Sequence, residues 1–244
     1  MRPFRGDLHI HSCLSPCADL EMSPKAIVEQ SMLKGLDVIA LCDHNSAENV
    51  GAAIRAASGT GLALLPGMEI NSMEEVHVLS IFDDEMQAKI MQDIIYKNLR
   101  GTNRPDIFGD QLIVNEFDEV EGISDKMLIG ATDLRVDEIV KETHRLGGLS
   151  IASHIDRPSY SIISQLGFIP PDLELDAVEL SPLASREDFS DQIPAHGNLP
   201  IVRSSDAHFQ RDIGKVHTSF IVEYPNVDEI RMALKQNSGR RVVN

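Results

Sequence analysis

The sequence predicts an α/β fold built on a mostly parallel sheet. Short apolar runs alternate with amphipathic stretches from end to end, no repeat, low-complexity tract or linker interrupts them, and helix start and stop signals fall in the intervals. The expected strands are Leu8 to His11, Val38 to Cys42, Leu62 to Leu65, Val76 to Phe82, Leu149 to Ser153, Ala177 to Ser181, Ile201 to Ser204 and Thr218 to Glu223. After the first strand, Ser23 followed by Pro24 reads as an N-cap with proline in the first turn, and Gly35 closes that helix. Val136, Ile139, Val140, Thr143 and Leu146 keep a helical period before Gly147-Gly148. Asn226 with Glu229 resembles a capping box, followed by Val227, Ile230, Ala233 and Leu234 at helical spacing.

The stretch from about 83 to 135 breaks the alternation. It begins as a helix with Met86, Ile90, Ile94 and Ile95 on one side. A Gly/Pro/Asn/Asp-rich segment follows, then two β-like runs, Gln111 to Phe117 and Lys126 to Ala131, separated by acidic turn residues. It reads either as an inserted helix and hairpin over or beside a barrel mouth, or as an elaborated crossover within a single domain spanning 1–244.

Composition narrows the function. The 244 residues carry 38 acidic and 22 basic side chains, a net charge of −16, and 42% of them are hydrophobic, ample for a core. No apolar run reaches the ~18 residues of a membrane span, and the first residues lack the apolar stretch of a signal peptide, so a cytoplasmic protein without a membrane partner is expected. Cys13, Cys17 and Cys42 are odd in number and lack a CxxC spacing, which favours neither disulfides nor a thiolate zinc site. So acidic a chain is not expected to coat long nucleic acid, but a small anion can bind where cations supply the charge.

The histidines carry the chemical signal. His9 and His11, at i and i+2 in the first strand, point to one face of the sheet. Asp43-His44 follows the second strand, Glu69 the third, His77 lies in the fourth, His154 ends the fifth, and Asp206 and His208 follow the seventh. Six of the nine histidines therefore sit on strands or at their carboxyl ends, where α/β enzymes build their sites. Singly, His77 between two valines reads as a core histidine, and Glu69 or Asp206 as a helix cap or ion-pair partner. Together, so many imidazoles and carboxylates at one mouth would cost many kcal/mol in desolvation and repulsion without divalent cations.

Asp7-Leu8-His9-Ile10-His11-Ser12, Cys42-Asp43-His44-Asn45, Pro66-Gly67-Met68-Glu69, Val76-His77-Val78, Ala152-Ser153-His154 and Ser205-Asp206-Ala207-His208 resemble, in order, the successive motifs of the PHP (polymerase and histidinol phosphatase) phosphoesterase family. The resemblance runs from residue 7 to about 220. It implies a distorted TIM-like (β/α)7 barrel with two or three metal ions at its C-terminal face. Carried over by motif, His9, His11, Glu69 and Asp206 hold one ion, and His44 and His208 a second. Glu69 bridges to a third completed by His77 and His154. Where family members place a further ligand shortly after HxH, this chain has Ser15-Pro16-Cys17-Ala18-Asp19, and Asp19 is the expected ligand with Cys17 the alternative. Imidazole with carboxylate suits zinc, manganese or iron.

Asp43 either orients a ligand or a water, or caps the next helix. The family chemistry expected is phosphoester hydrolysis by a hydroxide shared between ions. Arg157, three residues beyond His154, is the first candidate for binding the phosphate, and Lys215 the second; each is equally readable as a surface ion-pair partner. Cys13, Ser15 and Cys17 form no nucleophile elbow. The expected substrates are small phosphate monoesters or short nucleotides. The alternatives are an exonuclease or oligonucleotide 5′-phosphatase, and a catalytically silent module that uses the fold for binding.

Overall fold

The computed structural model describes residues 1–184 and 199–243. Strand β1 (Arg2–Ile10) pairs in parallel with β2 (Val38–Leu41), and β2 with β3 (Ala63–Asn71). β3 turns back as a hairpin into β4 (His77–Ile81), which runs antiparallel both to it and to β7 (Leu149–Ala152). β7, β8 (Ala177–Leu180) and β9 (Ile201–Arg203) complete a parallel run. Past β9, Ala207 forms a parallel bridge with Ile10, so seven strands come round into a nearly closed, barrel-like sheet. The α/β class and barrel character expected from the sequence are present. The strict βα repeat is not, because β3 and β4 are joined by the tight turn Ser72–Glu75 rather than by a helix. Outside the ring, β10 (Thr218–Val222) lies antiparallel to β1 and carries β11 (Arg241–Val243).

Alternation along each strand builds two cores. Val38, Ala40, Cys42, Leu65 and Leu79 join Phe220 and helix α7 (Val227–Leu234) in one cluster. Ile39, Leu41, Met68, Ile70 and Val78 pack in the other, with helices α1 (Pro24–Leu33), α2 (Val50–Ala57), α3 (Glu85–Asn98) and α5 (Val136–Arg145). Ser23 accepts from the Ala26 amide and Gly35 takes φ of 68°, as read; Asn226 accepts from the Glu229 amide, but the capping box is not completed, because the Glu229 carboxylate accepts from the Glu223 amide instead.

Three sequence expectations need correction. β3 does not stop at Leu65: its first half pairs with β2 and its second with β4, so Glu69 lies within the strand. A Cβ on Gly67, at that change of partner, would sit 2.8 Å from the Cys42 sulfur, which is why glycine stands there. In α3 the buried side is Ala88, Met91, Gln92 and Ile95, whereas Met86 is 63% exposed. Gln92 turns inward because its Oε1 accepts from the Ala47 amide at 2.7 Å. The inserted hairpin is β5 (Leu112–Val114) with β6 (Val120–Ile123), not Lys126 to Ala131, since Asn115 and Asp118 (φ 66°) make a turn immediately after β5. Short helix α4 (Pro105–Phe108) precedes it. The insertion sits beside the segment that follows β1: Leu112 donates to the Cys13 carbonyl, and Asn49 bonds both the Leu112 carbonyl and the Val114 amide.

Candidate metal centre

The carboxyl ends of the parallel strands and the start of antiparallel β4 meet at one edge, and the chemistry gathers there. Register explains His77: it pairs with Asn71 while Leu79 pairs with Glu69, so His77 lies diagonal to Glu69 on the same face. Its Nδ1 is 3.0 Å from Glu69 Oε1. In β1, Leu8 belongs to the core cluster of β10 and α7, and Ile10 to that of the outer helices. An irregularity of register between Asp7 and Ile10 separates the two alternations, and His9 and His11 share the face that looks on Glu69. His154 and Asp206 hold left-handed backbone, φ 27° and 47°, an arrangement that costs on the order of 1–3 kcal/mol each and persists where surrounding structure fixes it.

Glu69 is the hub. Its carboxylate lies within 3.0 to 3.5 Å of nitrogens on His9, His11, His44, His77 and His154. Asp206 Oδ1 is 3.4 Å from His9 Nε2, 3.2 Å from His11 Nε2 and 3.5 Å from His208 Nδ1. Ligand atoms converge in three groups: His9, His11 and Asp206; His11, His44 and His208; and His44, Glu69 and His77.

The hydrogen bonds behind the rings show what faces inward. Ser15 Oγ donates to Asp43 at 2.6 Å and stands 3.0 Å from His11 Nδ1, so it takes the proton of Nδ1 and leaves Nε2 as a lone pair. Asp43 also accepts from the Ser12 amide and hydroxyl. Asp43 is thus linked to His11 through Ser15, while Asn49 rather than Asp43 stands at the N-terminus of α2. Glu179 Oε2 sits 2.9 Å from His9 Nδ1 and orients that ring in the same way, and the Asp206 carbonyl does so for His208 Nδ1.

His9 Nε2 and His11 Nε2 then face each other at 3.0 Å in a buried space; as neutral rings they would oppose two lone pairs, a conflict that a shared proton or a bound cation relieves. Among the described residues, His154 Nδ1 is buried without a hydrogen bond, while His77 Nδ1 and both oxygens of Asp206 are buried with only charged or imidazole groups near them, Glu69 beside His77 and His9, His11, His208 and Arg157 beside Asp206. Two atoms each ~2.1 Å from a common cation lie about 3.0–3.4 Å apart, the spacing found here. The donor set and its orphaned atoms fit divalent metal.

Electrostatics agree. Burial disfavours a charged His9, but Glu179, Asp206 and Glu69 outweigh it and hold its pKa well above the ordinary value: the site calls for positive charge. Burial, with His208 and His9 nearby, pushes His11 down to about 4, which keeps it a neutral donor. Glu69 and Asp206 stay well below the usual carboxylate range despite burial, held there by the histidines.

The structure thus brings together His9, His11, His44, Glu69, His77, His154, Asp206 and His208. It places Asp19 differently: its Oδ1 accepts from the Glu21 amide in a turn, while Cys17 Sγ comes within 3.1 Å of His208 Nε2. Arg157 reaches Asp206 Oδ2 at 2.6 Å and remains 40% exposed at the rim. Lys215 pairs with Asp212 on the surface.

Sequence reasoning passed over two residues. Glu179 is a lone carboxylate inside the apolar run of β8, 1% exposed; a charge in mid-strand is the signal that marks it. Asp7 accepts from the amides of Ser205 and Gly214, tying the Asp206 segment to β1, and burial raises its pKa to about 6 against those bonds.

A family model for the PHP domain matches residues 7–238. The chain belongs to the PHP domain family. The 5′-3′ exoribonuclease of Haemophilus influenzae is 29% identical over 126 residues, 49% of this chain and 45% of that protein. The solved structure of the lesion-specific endonuclease PfuEndoQ from Pyrococcus furiosus superposes with a TM-score of 0.74 at 24% identity, covering 98% of this chain and 57% of that one. A second structure shows Endonuclease Q with a 27-mer duplex bearing an abasic lesion at the active site; it matches with a TM-score of 0.72 at 22% identity, over 98% of this chain and 58% of that one. At these identities the structural likeness carries the PHP fold alone, and the chain spans about half the length of these relatives.

Proposed function

We propose that this PHP domain is a metal-dependent phosphoesterase that hydrolyses small phosphate monoesters or short nucleotides. The observation that carries the proposal is the buried meeting of His9 Nε2 and His11 Nε2 at 3.0 Å, each ring tied back through its other nitrogen. The set suits two or three divalent ions of zinc, manganese or iron: His9, His11, Glu69 and Asp206 for one, His44 and His208 for a second, Glu69, His77 and His154 for a third. Beside His208, Cys17 is better placed than Asp19 to complete the second set. When bound, such ions supply Lewis acidity that neutralises a phosphate and acidifies water.

The chain's own residues do the rest. Glu179, and Asp43 through Ser15, keep the His9 and His11 lone pairs aimed inward. Arg157 offers its planar fork at the rim, where leaving Asp206 frees it to meet equatorial phosphate oxygens. Lys215, held by Asp212, is the weaker phosphate contact of the two.

A second reading, an exonuclease or oligonucleotide 5′-phosphatase, draws support from the nuclease names of the relatives and from the hairpin beside the segment after β1. Net charge argues against a surface that coats a long strand, but it is a whole-molecule sum and leaves room for a strand end at a local cationic centre. A silent binding module is disfavoured by the full convergence of donors. Incubation with manganese or zinc and a panel of phosphomonoesters and 5′-phosphorylated oligonucleotides separates the three. Phosphate release from monoesters without shortening of oligonucleotides is the expected result. Stepwise shortening selects the nuclease, and no release from any substrate selects the silent module.

A further inference from the structure

The loop that follows His154 carries two partly exposed side chains beside the centre, Arg157 and Tyr160. Arg157 N–H donates to the His154 carbonyl at 2.9 Å, and Ser161 Oγ donates back to the Arg157 carbonyl at 2.8 Å. The Tyr160 carbonyl accepts the His77 amide at 2.9 Å, so the far end of the loop is pinned to the first residue of β4. Ser161 then caps α6 (Ile162–Leu166). Within this frame Tyr160 holds φ of 57°, a conformation that is an outlier for a bulky side chain and that collects at ligand sites. Its ring stacks on His77, centroids 4.7 Å apart and planes 21° from parallel, yet the residue is 42% exposed. A buried core contact would hide the ring, and a random surface tyrosine would not be held in strained backbone against the centre. Three residues away on the same loop, Arg157 presents its charge at the rim.

We propose that Tyr160 is a specificity residue that stacks the base of a nucleotide whose phosphate lies at the histidine centre, so that the substrate class is nucleotides or a strand's terminal nucleotide rather than base-free sugar phosphates. This rests on the phosphoesterase reading above. An aromatic face with one side backed by a fixed imidazole is a pre-formed platform, and stacking is sequence-tolerant because every base has a π-face.

The test compares AMP with ribose 5-phosphate, which differ by the base, on manganese-loaded protein. Wild type is expected to show a KM for AMP about ten-fold below that for ribose 5-phosphate, within the range that base–aromatic stacking supplies. Tyr160→Leu should raise the AMP KM about ten-fold, leave kcat and the ribose 5-phosphate KM in place, and retain its metal by elemental analysis. Tyr160→Phe should restore the preference, and Tyr224→Leu, at an exposed tyrosine outside the centre, should keep it. If neither compound is hydrolysed, the phosphoesterase reading fails, and equilibrium dialysis of the same pair still reads the preference directly. Equal effects of Tyr160→Leu on both compounds, metal loss in that variant, or no preference in wild type would overturn the role of Tyr160.

Discussion

Glu179 shows how one side chain sets the property of another. Its carboxylate fixes the His9 ring through Nδ1 and also receives the His154 amide at 3.2 Å, so a single group orders two of the converging residues. Glu179→Gln keeps the shape and removes the charge; metal affinity should fall about 10- to 100-fold with the fold intact, measured by titration against a chelating indicator. Unchanged affinity would show that His9 needs no such partner. At this scale the sequence was most informative where the strand period acts: HxH in an apolar strand predicts both rings on one face, and both do look on Glu69, although the register is irregular there and His11 lies just past the end of β1. Glu179 was hidden because a carboxylate in a strand has no local partner in sequence, and its partner is 170 positions away. The choice between Cys17 and Asp19 turns on a loop path that no period encodes.

Among elements, the antiparallel β4 and the inserted hairpin matter most. Because β4 runs backward, its first residue rather than its last reaches the site edge, which sets His77 against Glu69 instead of in the apolar core. Strand direction was not readable, since a run of alternating residues looks the same in either sense. The helix of the insertion was readable, but its buried side was not: Gln92 gains buried hydrogen bonds that hydropathy does not reveal. Asn49 joins the hairpin to the barrel by bonds to the Leu112 carbonyl, the Val114 amide and Ser12 Oγ. Asn49→Ala leaves buried groups unpaired and should cost about 2 kcal/mol in urea unfolding, with hydrogen exchange at the Val114 amide accelerated and β3 protected as before. Equal protection of Val114 in both proteins would show that the hairpin is held by other contacts.

Across the whole molecule, many acidic side chains are held in ion pairs. Among the described residues no helix is long and apolar enough to cross a membrane. Away from the centre, Asp176 accepts from the Ser150 amide and pairs with His144 at 2.8 Å and with Arg231 at 3.6 Å, joining α5, α7 and the start of β8. Burial raises its pKa, but His144, the Ser150 amide and Arg231 outweigh that and leave it below the usual value. A depressed carboxylate contributes stability that is present above its unfolded pKa of about 3.9 and lost as pH falls through the folded value. The stability gap between wild type and Asp176→Asn should therefore be present just above about pH 4 and shrink as the pH falls below it, followed by urea midpoints across pH. A gap that persists into stronger acid would assign the loss to packing instead. Fold class was legible because it follows from local periodicity, and the ordered motifs because they resemble those of the PHP family. Closure through Ala207 and Ile10 was not, because it pairs residues from opposite ends of the chain.

Elemental analysis of the protein as purified tests most directly whether the histidine centre is a cation site. At least two equivalents of zinc, manganese or iron per chain are expected, falling by at least one in His9→Ala and in Asp206→Ala while circular dichroism stays that of the folded protein. Chelation should also lower the melting temperature of the wild type, since binding to the native state adds to its stability. Substoichiometric metal in wild type that is the same in both variants, with a melting temperature indifferent to chelator, would contradict a cation site there.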